Sequence, residues 1–464
     1  MTGVCGVGMG SLAGMLSALG HIVTGSDSAV YPPMSHKLPE WGIQVKEGFD
    51  PSHVENPDLV VIGNAMSRGN PEVEYVLDHR IPYMSMANTL YEFFLKNREV
   101  IAVAGTHGKT TTTALLAYIL DRAGLDPSFF VGGVASNYGS NFRLGGGKYF
   151  VIEGDEYDSA FFEKIPKFIL YRPQHCILTS LEFDHADIYR DMDELELWFT
   201  RLLRLVPSNG SVVYSSLYPH LNNVMQYCYS HRYSFGKSGA DYMYSFKKKE
   251  DKEYLEIRGK GLESPLEIET GLFGDFNYQN ISAAVIMALR LGVPAETIPG
   301  AVAGFTGVER RQRLLHESEN LVIYEDFAHH PTAIEKMLLA AAERYPEAEL
   351  LAVYEPRSAT SRRNTFQSLL PSAFNPARTV YIRQPSLMEK IPESERINME
   401  QVVQEIRSSG KDALLMPDGN AIIEEIVSCV RQNPSKKRVI VIMSNGGFDG
   451  IYDRVDSTFK NLLL

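Results

Sequence analysis

Short apolar runs that end in glycine-containing turns recur along the chain, and each is followed by a segment with helical spacing. Residues 3–5 form the first run, a glycine turn follows, and residues 11–19 predict a helix that stops at Gly20. The run at residues 22–24 predicts a second strand that ends near Ser26 and Asp27, and the run at residues 58–63 predicts another, buried strand. Strands that alternate with helices favour an α/β fold built on a parallel sheet.

A second block of the same kind opens near residue 98. Residues 100–104 predict a strand, residues 105–111 a turn, and residues 112–122 a helix that stops at Gly124. Two more strands are predicted at residues 149–152 and 177–179. The pattern therefore predicts a second α/β domain behind the first.

A third block follows the pair Arg310 and Arg311. Its apolar runs predict strands at residues 321–324, 350–353 and 439–442. The resulting domain predictions are residues 1–97, residues 98–309 and residues 310–464.

Composition supports three ordinary globular domains and limits their partners. The 464 residues suffice for about three domains of ~150 residues. Because 44% of the residues are hydrophobic, each domain can bury a core, which argues against disorder. The formal net charge of -12 disfavours binding to nucleic acid or to an anionic membrane. Anions must then be bound by local groups, such as loop N–H groups, single cations or a metal ion.

Cysteine spacing and hydropathy indicate the compartment. The four cysteines are far apart, and no pair has the spacing of a metal site or a redox motif. No apolar run approaches the ~20 residues that span a bilayer, and no signal-like segment opens the chain. We therefore expect a cytoplasmic protein without membrane insertion. No feature of the pattern indicates an oligomeric state.

The sharpest chemical signal lies between a predicted strand and a predicted helix. It is the segment Gly105-Thr106-His107-Gly108-Lys109-Thr110-Thr111. A glycine-rich turn in this setting presents N–H groups at a helix N-terminus, where phosphate binds. Lys109 would reach the β- and γ-phosphates of a nucleotide, and the Thr110 hydroxyl would bind Mg²⁺. Residue 103 is valine where the generic pattern has glycine, so the strand–loop–helix setting carries the prediction against a plain surface turn.

Residues at predicted strand ends could complete a magnesium site. Glu153 ends one strand, and His185 follows another. The carboxyl ends of parallel strands line the ligand crevice of an α/β sheet, so both residues would face the phosphate loop. Taken alone, the neighbouring Asp155 and Glu156 could be solvated loop acids, and His185 a capping or core histidine. Their joint placement favours metal binding.

A weaker signal lies in the first block. Gly6, Gly8 and Gly10, with Asp27 after the next strand, resemble a dinucleotide-binding pattern. This pattern supports binding of a diphosphate and a ribose but does not choose between NAD, FAD and a UDP-sugar. On this loop alone the protein could be a nucleotide-sugar oxidoreductase, although Lys109, Asn277 and Asn280 would then have no role. A second alternative is a non-catalytic UDP-sugar sensor that binds ATP without turning it over.

Longer motifs resemble the Mur ligases, a family of ATP-dependent ligases. They are AGTHGKTTT at residues 104–112, GDFNYQNISAA at 274–284, GVERR at 307–311 and EDFAHHP at 325–331. The resemblance covers nearly the whole chain. It implies an N-terminal Rossmann-like UDP-binding domain, a central P-loop ATPase domain and a C-terminal Rossmann-like domain.

The same resemblance implies a set of site residues. For the UDP-sugar these are Gly6, Gly8, Gly10 and Asp27. For ATP they are Gly105 to Thr111, Asn277, Asn280, Arg311, Asp326 and His330, of which His330, with its neighbour His329, is implied near the ribose. For Mg²⁺ they are Thr110, Glu153 and His185. The residues implied in catalysis are Lys109, Glu153, His185, Arg311 and Asp326.

Two branches of the family differ in the amine that they use. The runs EGDEYDSAFF at 153–162, LEFDHADIY at 181–189, EPRS at 355–358 and SNGGF at 444–448 resemble the branch that attaches L-Ala-γ-D-Glu-meso-diaminopimelate, a murein tripeptide, during peptidoglycan recycling. The alternative is the branch that adds L-alanine during peptidoglycan synthesis. The tripeptide carries several carboxylates, which Arg357, Arg362 and Arg363 could bind, or these arginines could form an exposed basic loop. Ser444, Asn445 and Gly446 could offer N–H groups to a carboxylate or form a plain turn.

The resemblance also implies the chemistry. The lactyl carboxylate of UDP-N-acetylmuramate would attack the γ-phosphate of ATP, giving an acyl phosphate and ADP, and the peptide amine would then displace phosphate. The protein would position these groups and neutralise charge with Lys109, Mg²⁺ and arginines. His185 and Asp187 are candidates for the base that deprotonates the amine.

Overall fold

The computed structural model describes residues 1–30, 34–184, 188–249 and 252–460. These residues form two compact units. The first unit comprises Met1–Phe183, Asp191–Glu269 and Gln279–Thr306. The second unit comprises Asp184–Arg190, Thr270–Tyr278 and Gly307–Leu464.

The first unit opens with parallel strands and short helices. The strands are β1 (Thr24–Asp27), β2 (Gln44–Glu47), β3 (Val60–Ile62) and β4 (Tyr83–Ser85). The helices are α1 (Val7–Ala18), α2 (Met34–Glu40), α3 (Pro71–Asp78) and α4 (Met86–Leu90). β1 pairs with β2 and β3 pairs with β4, and Thr2 bridges Ser26 of β1 and Ile62 of β3. The order is therefore that of a small parallel sheet with the chain start at its centre.

A larger sheet of ten strands follows among the described residues of the first unit. Its strands are β5 (Glu99–Ala104), β6 (Ser128–Ala135), β7 (Ser140–Arg143), β8 (Tyr149–Gly154), β9 (His175–Leu178), β10 (Ser211–Ser215), β11 (His231–Gly236), β12 (Tyr242–Lys249), β13 (Lys252–Gly259) and β14 (Leu266–Glu269). The spatial order is β14-β13-β12-β11-β10-β9-β5-β8-β6-β7. The centre from β11 to β6 is parallel, whereas β7, β13 and β14 pair antiparallel to their neighbours.

Four helices connect parallel strands of this sheet, and two more follow its last strand along the chain. The connecting helices are α5 (Lys109–Arg122), α6 (Lys167–Leu170), α7 (Met192–Leu205) and α8 (Pro219–Val224), and the helices after β14 are α9 (Asp275–Arg290) and α10 (Ile298–Ala303). Local sequence explains several starts: Asp191 caps α7 by accepting a hydrogen bond from the Glu194 N–H, and proline opens α8. The strands β5 and β8 are almost fully buried apolar runs, as expected for strands covered on both faces.

The second unit is built on a six-stranded sheet within the described residues. Its strands are β15 (Arg313–Glu317), β16 (Leu321–Asp326), β17 (Glu349–Tyr354), β18 (Thr379–Arg383), β19 (Asp412–Met416) and β20 (Arg438–Met443), and its helices are α11 (Pro331–Arg344), α12 (Leu370–Ala373), α13 (Met399–Ser408), α14 (Gly419–Gln432) and α15 (Ile451–Lys460). The spatial order is β15-β16-β20-β17-β18-β19, with only β15 antiparallel to its neighbour in this part of the chain. Separate apolar cores lie on the two faces of the sheet.

The predicted elements are found, with shifted ends. The α/β fold class and the parallel strand pattern are confirmed. The prediction of a strand at residues 3–5 is wrong, because only Thr2 bridges the neighbouring strands. Helix α1 begins at Val7 instead of residue 11, and α5 begins at Lys109 instead of residue 112. In both cases the helix continues into what the sequence suggested was the turn.

Candidate active site

The central strands of the ten-stranded sheet set the geometry of the site. β5 lies between β8 and β9, parallel to both, with Ala104 beside Gly154 and Leu178. The carboxyl ends of the three strands therefore meet at one edge, where ligands bind in such sheets. The segment after β5 is the predicted phosphate loop, and Glu153 of β8 lies beside it.

The loop depends on two glycines. Gly105 has φ +133° and Gly108 has φ +83°, both in the left-handed region that favours glycine. A Cβ at Gly105 would collide with the hydroxyl of Thr179 and the backbone of Ser180, and one at Gly108 would collide with the amide oxygen of Asn280. Gly108 is the N-cap of α5, so the loop leads directly into the helix N-terminus. This arrangement presents backbone N–H groups and positive partial charge to an anion.

The segment that follows β9 fixes the conformation of the loop. The His107 N–H donates to the Ser180 hydroxyl (2.8 Å), and the Thr179 hydroxyl donates to the His107 carbonyl (2.5 Å). The Thr106 hydroxyl and the backbone of Glu182 exchange hydrogen bonds of 2.9 Å. The His107 Nε2 lies 3.0 Å from the Glu182 carboxylate. The imidazole of His107 thus has a fixed partner on the neighbouring strand end.

Lys109 lies at the first position of α5, and its ammonium has three acceptors within the first unit. It donates to the Gly105 carbonyl (2.7 Å), the Thr106 carbonyl (3.4 Å) and the Glu156 carboxylate (2.6 Å). The side chains of Lys109 and Glu156 are only 12% and 2% exposed. Burial disfavours the charged ammonium, but the nearby carboxylates, Glu156 first among them, outweigh burial and raise the pKa of Lys109. Lys109 is therefore a fixed cation at the phosphate loop.

Asp155 forms a second charge pair, in which its own side chain is 33% exposed and that of Lys167 is 13% exposed. Its carboxylate lies 2.9 Å from the Lys167 ammonium and accepts a hydrogen bond from the Tyr157 N–H. Burial favours the neutral acid, but Lys167 and Lys109 more than offset it and lower the pKa of Asp155 to about 2. Asp155 and Glu156, which the sequence suggested could be solvated acids, are instead tied to lysines of the site.

Two predicted magnesium ligands lie together. The Thr110 hydroxyl donates to the Glu153 carboxylate at 3.0 Å, and the second Glu153 oxygen accepts from the Gly132 N–H at 2.7 Å. A hydroxyl and a carboxylate are hard oxygen donors of the type that Mg²⁺ prefers, so these residues fit the ion. The third predicted ligand, His185, lies outside the described residues, as does Asp187.

The two asparagines of the predicted nucleotide motif have different surroundings. Asn280 lies against Gly108 in the first unit. Asn277 belongs to the second unit, where its amide donates to the Phe273 carbonyl (3.1 Å) and the Gln312 side chain (3.0 Å). Asn280 is therefore beside the phosphate loop, while the amide of Asn277 is held in a buried network.

The first glycine cluster forms a helix start. Gly6 is the N-cap of α1, while Gly8 and Gly10 lie inside the helix. A Cβ at Gly10 would collide with the Met34 side chain, so close helix packing explains that glycine. The Asp27 carboxylate accepts a hydrogen bond from the Cys5 N–H (2.8 Å), which brings it to the same turn. The cluster is thus weaker evidence for a dinucleotide than its spacing suggested.

In the second unit, Asp326 ends β16 and is 7% exposed. It accepts hydrogen bonds of 2.8 Å from the N–H groups of Gln312 and Ala328. Burial raises the pKa of Asp326, although Arg311 opposes the shift. The Arg311 guanidinium lies 4.3 Å from the centre of the Phe327 ring. The predicted pair of Arg311 and Asp326 therefore lies at one strand end.

His330 is buried at the start of α11. Its ring accepts a hydrogen bond from the Thr332 N–H and packs edge-on against Phe366, with centroids 4.5 Å apart. His330 therefore has a capping contact in addition to its predicted role at the ribose. The neighbouring His329 ring lies 3.0 Å from the Phe327 carbonyl.

The predicted acceptor residues gather at the ends of β17 and β20. The Ser444 hydroxyl donates to the Glu355 carboxylate (2.5 Å) and accepts from the Gly446 N–H (2.8 Å). Gly446 lies against the Arg357 side chain, where a Cβ would collide with the guanidinium. The Asn445 amide oxygen is buried, with no hydrogen-bond partner within the described part of the chain. The structure therefore brings Arg357, Ser444, Asn445 and Gly446 together.

The predicted arginine cluster is only partly available. Arg362 donates to the carbonyls of Ser358, Ser386 and Leu387, and Arg363 pairs with Glu395. These two side chains hold loops of the second unit together. Arg357, which is exposed, is the member of the cluster best placed to meet a ligand.

Sequence reasoning missed two acids of the site. The sequence pattern suggests a loop acid at Glu156 and indicates no separate role for Glu182 within its motif. Their position after strands β8 and β9 was a usable signal, because residues just past parallel strand ends face the crevice. Their lysine and histidine partners could not be assigned without the strand order.

Sequence models of the Mur ligase family match the chain in three segments. The model described as the catalytic domain matches residues 1–98, the middle domain residues 103–288, and the glutamate ligase domain residues 310–446. The phosphate loop, which begins at Gly105, and the strands β8 and β9 beside it thus lie within the segment that the middle-domain model matches.

Individual relatives agree with these matches. The UDP-N-acetylmuramate–L-alanyl-γ-D-glutamyl-meso-2,6-diaminoheptandioate ligase of Escherichia coli is 39% identical over 98% of this chain and 96% of its own length. A UDP-N-acetylmuramate–L-alanine ligase of Acetivibrio thermocellus is 29% identical over 96% of this chain and 92% of its own length. The crystal structure of a murein peptide ligase from Psychrobacter arcticus is similar with a TM-score of 0.72 and 33% identity, covering 100% of this chain and 98% of that one.

A search of the described helices for a membrane span found no candidate. None of them combines the length and the apolar character that crossing a bilayer needs.

Proposed function

The chain belongs to the Mur ligase family, and we propose that it joins the tripeptide L-Ala-γ-D-Glu-meso-diaminopimelate to the lactyl carboxylate of UDP-N-acetylmuramate at the expense of ATP. The observation that carries the proposal is the phosphate loop, with the Lys109 ammonium and the Thr110–Glu153 pair beside one helix N-terminus. The choice of tripeptide is supported by sequence identity, which is 39% to the Escherichia coli ligase of that name and 29–32% to alanine ligases such as that of Acetivibrio thermocellus.

Roles for the three predicted domains follow from this proposal. Residues 1–97 would bind the UDP-sugar through the turn at Gly6, Gly8, Gly10 and Asp27. Residues 98–309 would bind ATP, and residues 310–464 would bind the acceptor. The gaps between the matched family segments, at residues 99–102 and 289–309, support boundaries near these positions. Because its nucleotide substrates are made in the cytoplasm, we expect the enzyme there.

The reaction would begin with activation of a carboxylate. A lactyl oxygen attacks the γ-phosphorus of ATP, the bond to the β-phosphate oxygen breaks, and ADP and an acyl phosphate result. Lys109 and the loop N–H groups would hold the phosphate oxygens in line for attack. Thr110 and Glu153, with His185, would hold Mg²⁺, which would neutralise phosphate charge when bound.

The second step would form the amide. The alanyl amine of the tripeptide loses a proton to a base, for which His185 and Asp187 are the candidates, and attacks the acyl carbon. A tetrahedral intermediate forms, and inorganic phosphate leaves with the former carboxylate oxygen. Arg357 and the backbone N–H groups of residues 444–446 would bind a carboxylate of the tripeptide, because a guanidinium and converging N–H groups suit that anion. Arg311 and Asp326 would act on the nucleotide, as the family resemblance implies.

A comparison of acceptors tests the proposal. ADP release would be followed with UDP-N-acetylmuramate, ATP and Mg²⁺, and with either the tripeptide or L-alanine. We expect kcat/KM for the tripeptide to exceed that for L-alanine by at least about 100-fold, which corresponds to about 2.7 kcal/mol. Equal values, or a preference for L-alanine, would assign the chain to the synthetic branch instead.

A further inference from the structure

Glu156 is a buried carboxylate that the reaction proposed above does not use. Its side chain is 2% exposed, and one oxygen lies 2.6 Å from the Lys109 ammonium. A buried charge is stable only when a partner compensates it, so the carboxylate and the ammonium depend on each other. Glu156 follows β8 by two residues, so the strand order of the sheet brings it to the phosphate loop.

Each N–H bond of the Lys109 ammonium has an acceptor in the structure. An ammonium has three N–H bonds, and the Gly105 carbonyl, the Thr106 carbonyl and Glu156 accept them. A phosphate oxygen can therefore bind this ammonium directly only by replacing one of these acceptors. Among the three, Glu156 is the anion, so it repels an incoming phosphate most strongly.

The other acids of the segment 153–156 have donors other than the Lys109 ammonium. Asp155 is paired with Lys167 at 2.9 Å, and Glu153 is engaged by the Thr110 hydroxyl and the Gly132 N–H. Each acid of the segment 153–156 thus has its own assigned donor. Lys109 is the cation assigned to Glu156.

We propose that Glu156 is a positioning residue for Lys109 and competes with the nucleotide phosphates for its ammonium. It holds the side chain over the loop for phosphoryl transfer, and it weakens ground-state binding of the polyphosphate. This inference rests on the proposed function, because it takes the phosphate loop to be the ATP site.

Nucleotide binding and turnover should separate in the variant Glu156→Gln. The amide keeps the shape but not the charge, so we expect the Kd for ADP and for inorganic tripolyphosphate, measured by calorimetry, to fall by at least about tenfold. We expect kcat to fall by about tenfold or more, because a looser Lys109 positions the γ-phosphate less well. Glu156→Asp, which keeps the charge, should retain the wild-type Kd for tripolyphosphate. Weaker or unchanged binding in Glu156→Gln would overturn the proposal.

Two controls make the result specific. Glu99→Gln makes the same chemical change at an exposed acid of β5, paired with Lys148, and should leave Kd and kcat unchanged. Calorimetry needs no acceptor: wild type that binds neither ADP nor tripolyphosphate would overturn the proposed function, whereas wild-type binding with no change in Glu156→Gln would overturn only this inference.

A double-mutant cycle tests the pairing if Glu156→Gln is poorly folded. Lys109→Met removes the cation that lies 2.6 Å from the buried Glu156 carboxylate, so we expect Tm to fall by about 6 °C or more. The double variant Lys109→Met/Glu156→Gln should recover much of that loss, since it removes the charge of both partners. Additive losses of Tm would show that the two residues are not coupled and would contradict the proposal.

Discussion

In the first unit, Asp155 lies just past the end of β8, and its pKa is lowered to about 2 because the cations of Lys167 and Lys109 outweigh burial. In the second unit, Asp326 ends β16, and its pKa is raised because burial outweighs Arg311. Asp155 is compensated mainly by side-chain charge, whereas Asp326 accepts hydrogen bonds from two backbone N–H groups. The comparison indicates that the first unit holds fixed cations at this strand end, which suit the binding of a polyanion. In the second unit, the Asp326 carboxylate is held by hydrogen bonds from the backbone of the adjacent loops.

The largest expected effect comes from removing the central cation of the first unit. Lys109→Met should lower kcat/KM for ATP by about 10³-fold or more, because an interaction aimed at the transferred phosphate is lost. Binding of UDP-N-acetylmuramate, followed by calorimetry, should survive. Lys148→Met, an exposed lysine before β8, serves as the matched control and should be silent. Normal turnover in Lys109→Met would break the assignment of this unit to ATP.

The next largest effect is expected at the oxygen donors beside Lys109. Glu153→Gln removes the charge that faces the Thr110 hydroxyl, and we expect the Mg²⁺ concentration for half-maximal rate to rise by about 10- to 100-fold. The Kd for tripolyphosphate measured without Mg²⁺ should not increase. An unchanged Mg²⁺ dependence would remove Glu153 from the metal site.

A smaller and different effect is expected in the second unit. Arg357→Ala should raise KM for the tripeptide by about tenfold and leave KM for ATP unchanged, since a single exposed guanidinium is lost. Arg378→Ala is the control, because Arg378 is exposed and lies before the amino end of β18, whereas Arg357 follows the carboxyl end of β17. A change in the KM for ATP alone would reverse the roles assigned to the two units.

The smallest expected effect is on the pH dependence of Tm, which should differ between variants of Asp155 and of Asp326. The carboxylate of Asp155 contributes stability above its ordinary pKa of 3.8 that is lost as pH falls towards about 2. The pKa of Asp326 is raised, so ionising this carboxylate destabilises the folded protein. This destabilisation disappears as pH falls through the raised pKa towards 3.8. Scanning calorimetry from pH 5 to 3 should show a shallower fall of Tm in Asp155→Asn than in wild type, and a steeper fall in Asp326→Asn. Slopes that change in the same direction would remove the contrast.

Much of the fold could be predicted because buried parallel strands appear in the sequence as continuous apolar runs. Val100 to Ala104, Leu321 to Tyr324 and Val439 to Ile442 all lie within observed strands. Helix starts were less accurate, since Gly8 and Gly10 are tolerated inside α1 by close packing that no local pattern shows. The strands β12 to β14, each antiparallel to the next along the chain, contain no continuous apolar run and were not predicted.

The site was partly predictable for a related reason. Lys109 and Thr110 follow from the loop motif itself, and Glu153 from its place at a strand end. The partner of Lys109 could not be predicted, because Glu156 meets it only when β8 lies beside β5. In the same way, the amide of Asn277 meets Gln312, 35 residues away, through tertiary packing.

The central claim is that ATP bound at the phosphate loop activates the lactyl carboxylate as an acyl phosphate. Transfer of an oxygen atom from that carboxylate to phosphate tests it most directly. UDP-N-acetylmuramate labelled with ¹⁸O in its lactyl carboxylate would be incubated with ATP, Mg²⁺ and the tripeptide, and the released phosphate examined by mass spectrometry. Activation at the phosphate loop predicts one ¹⁸O atom in each phosphate released with ADP, and almost no phosphate from Lys109→Met. Amide product accompanied by unlabelled phosphate, or by AMP, would contradict it.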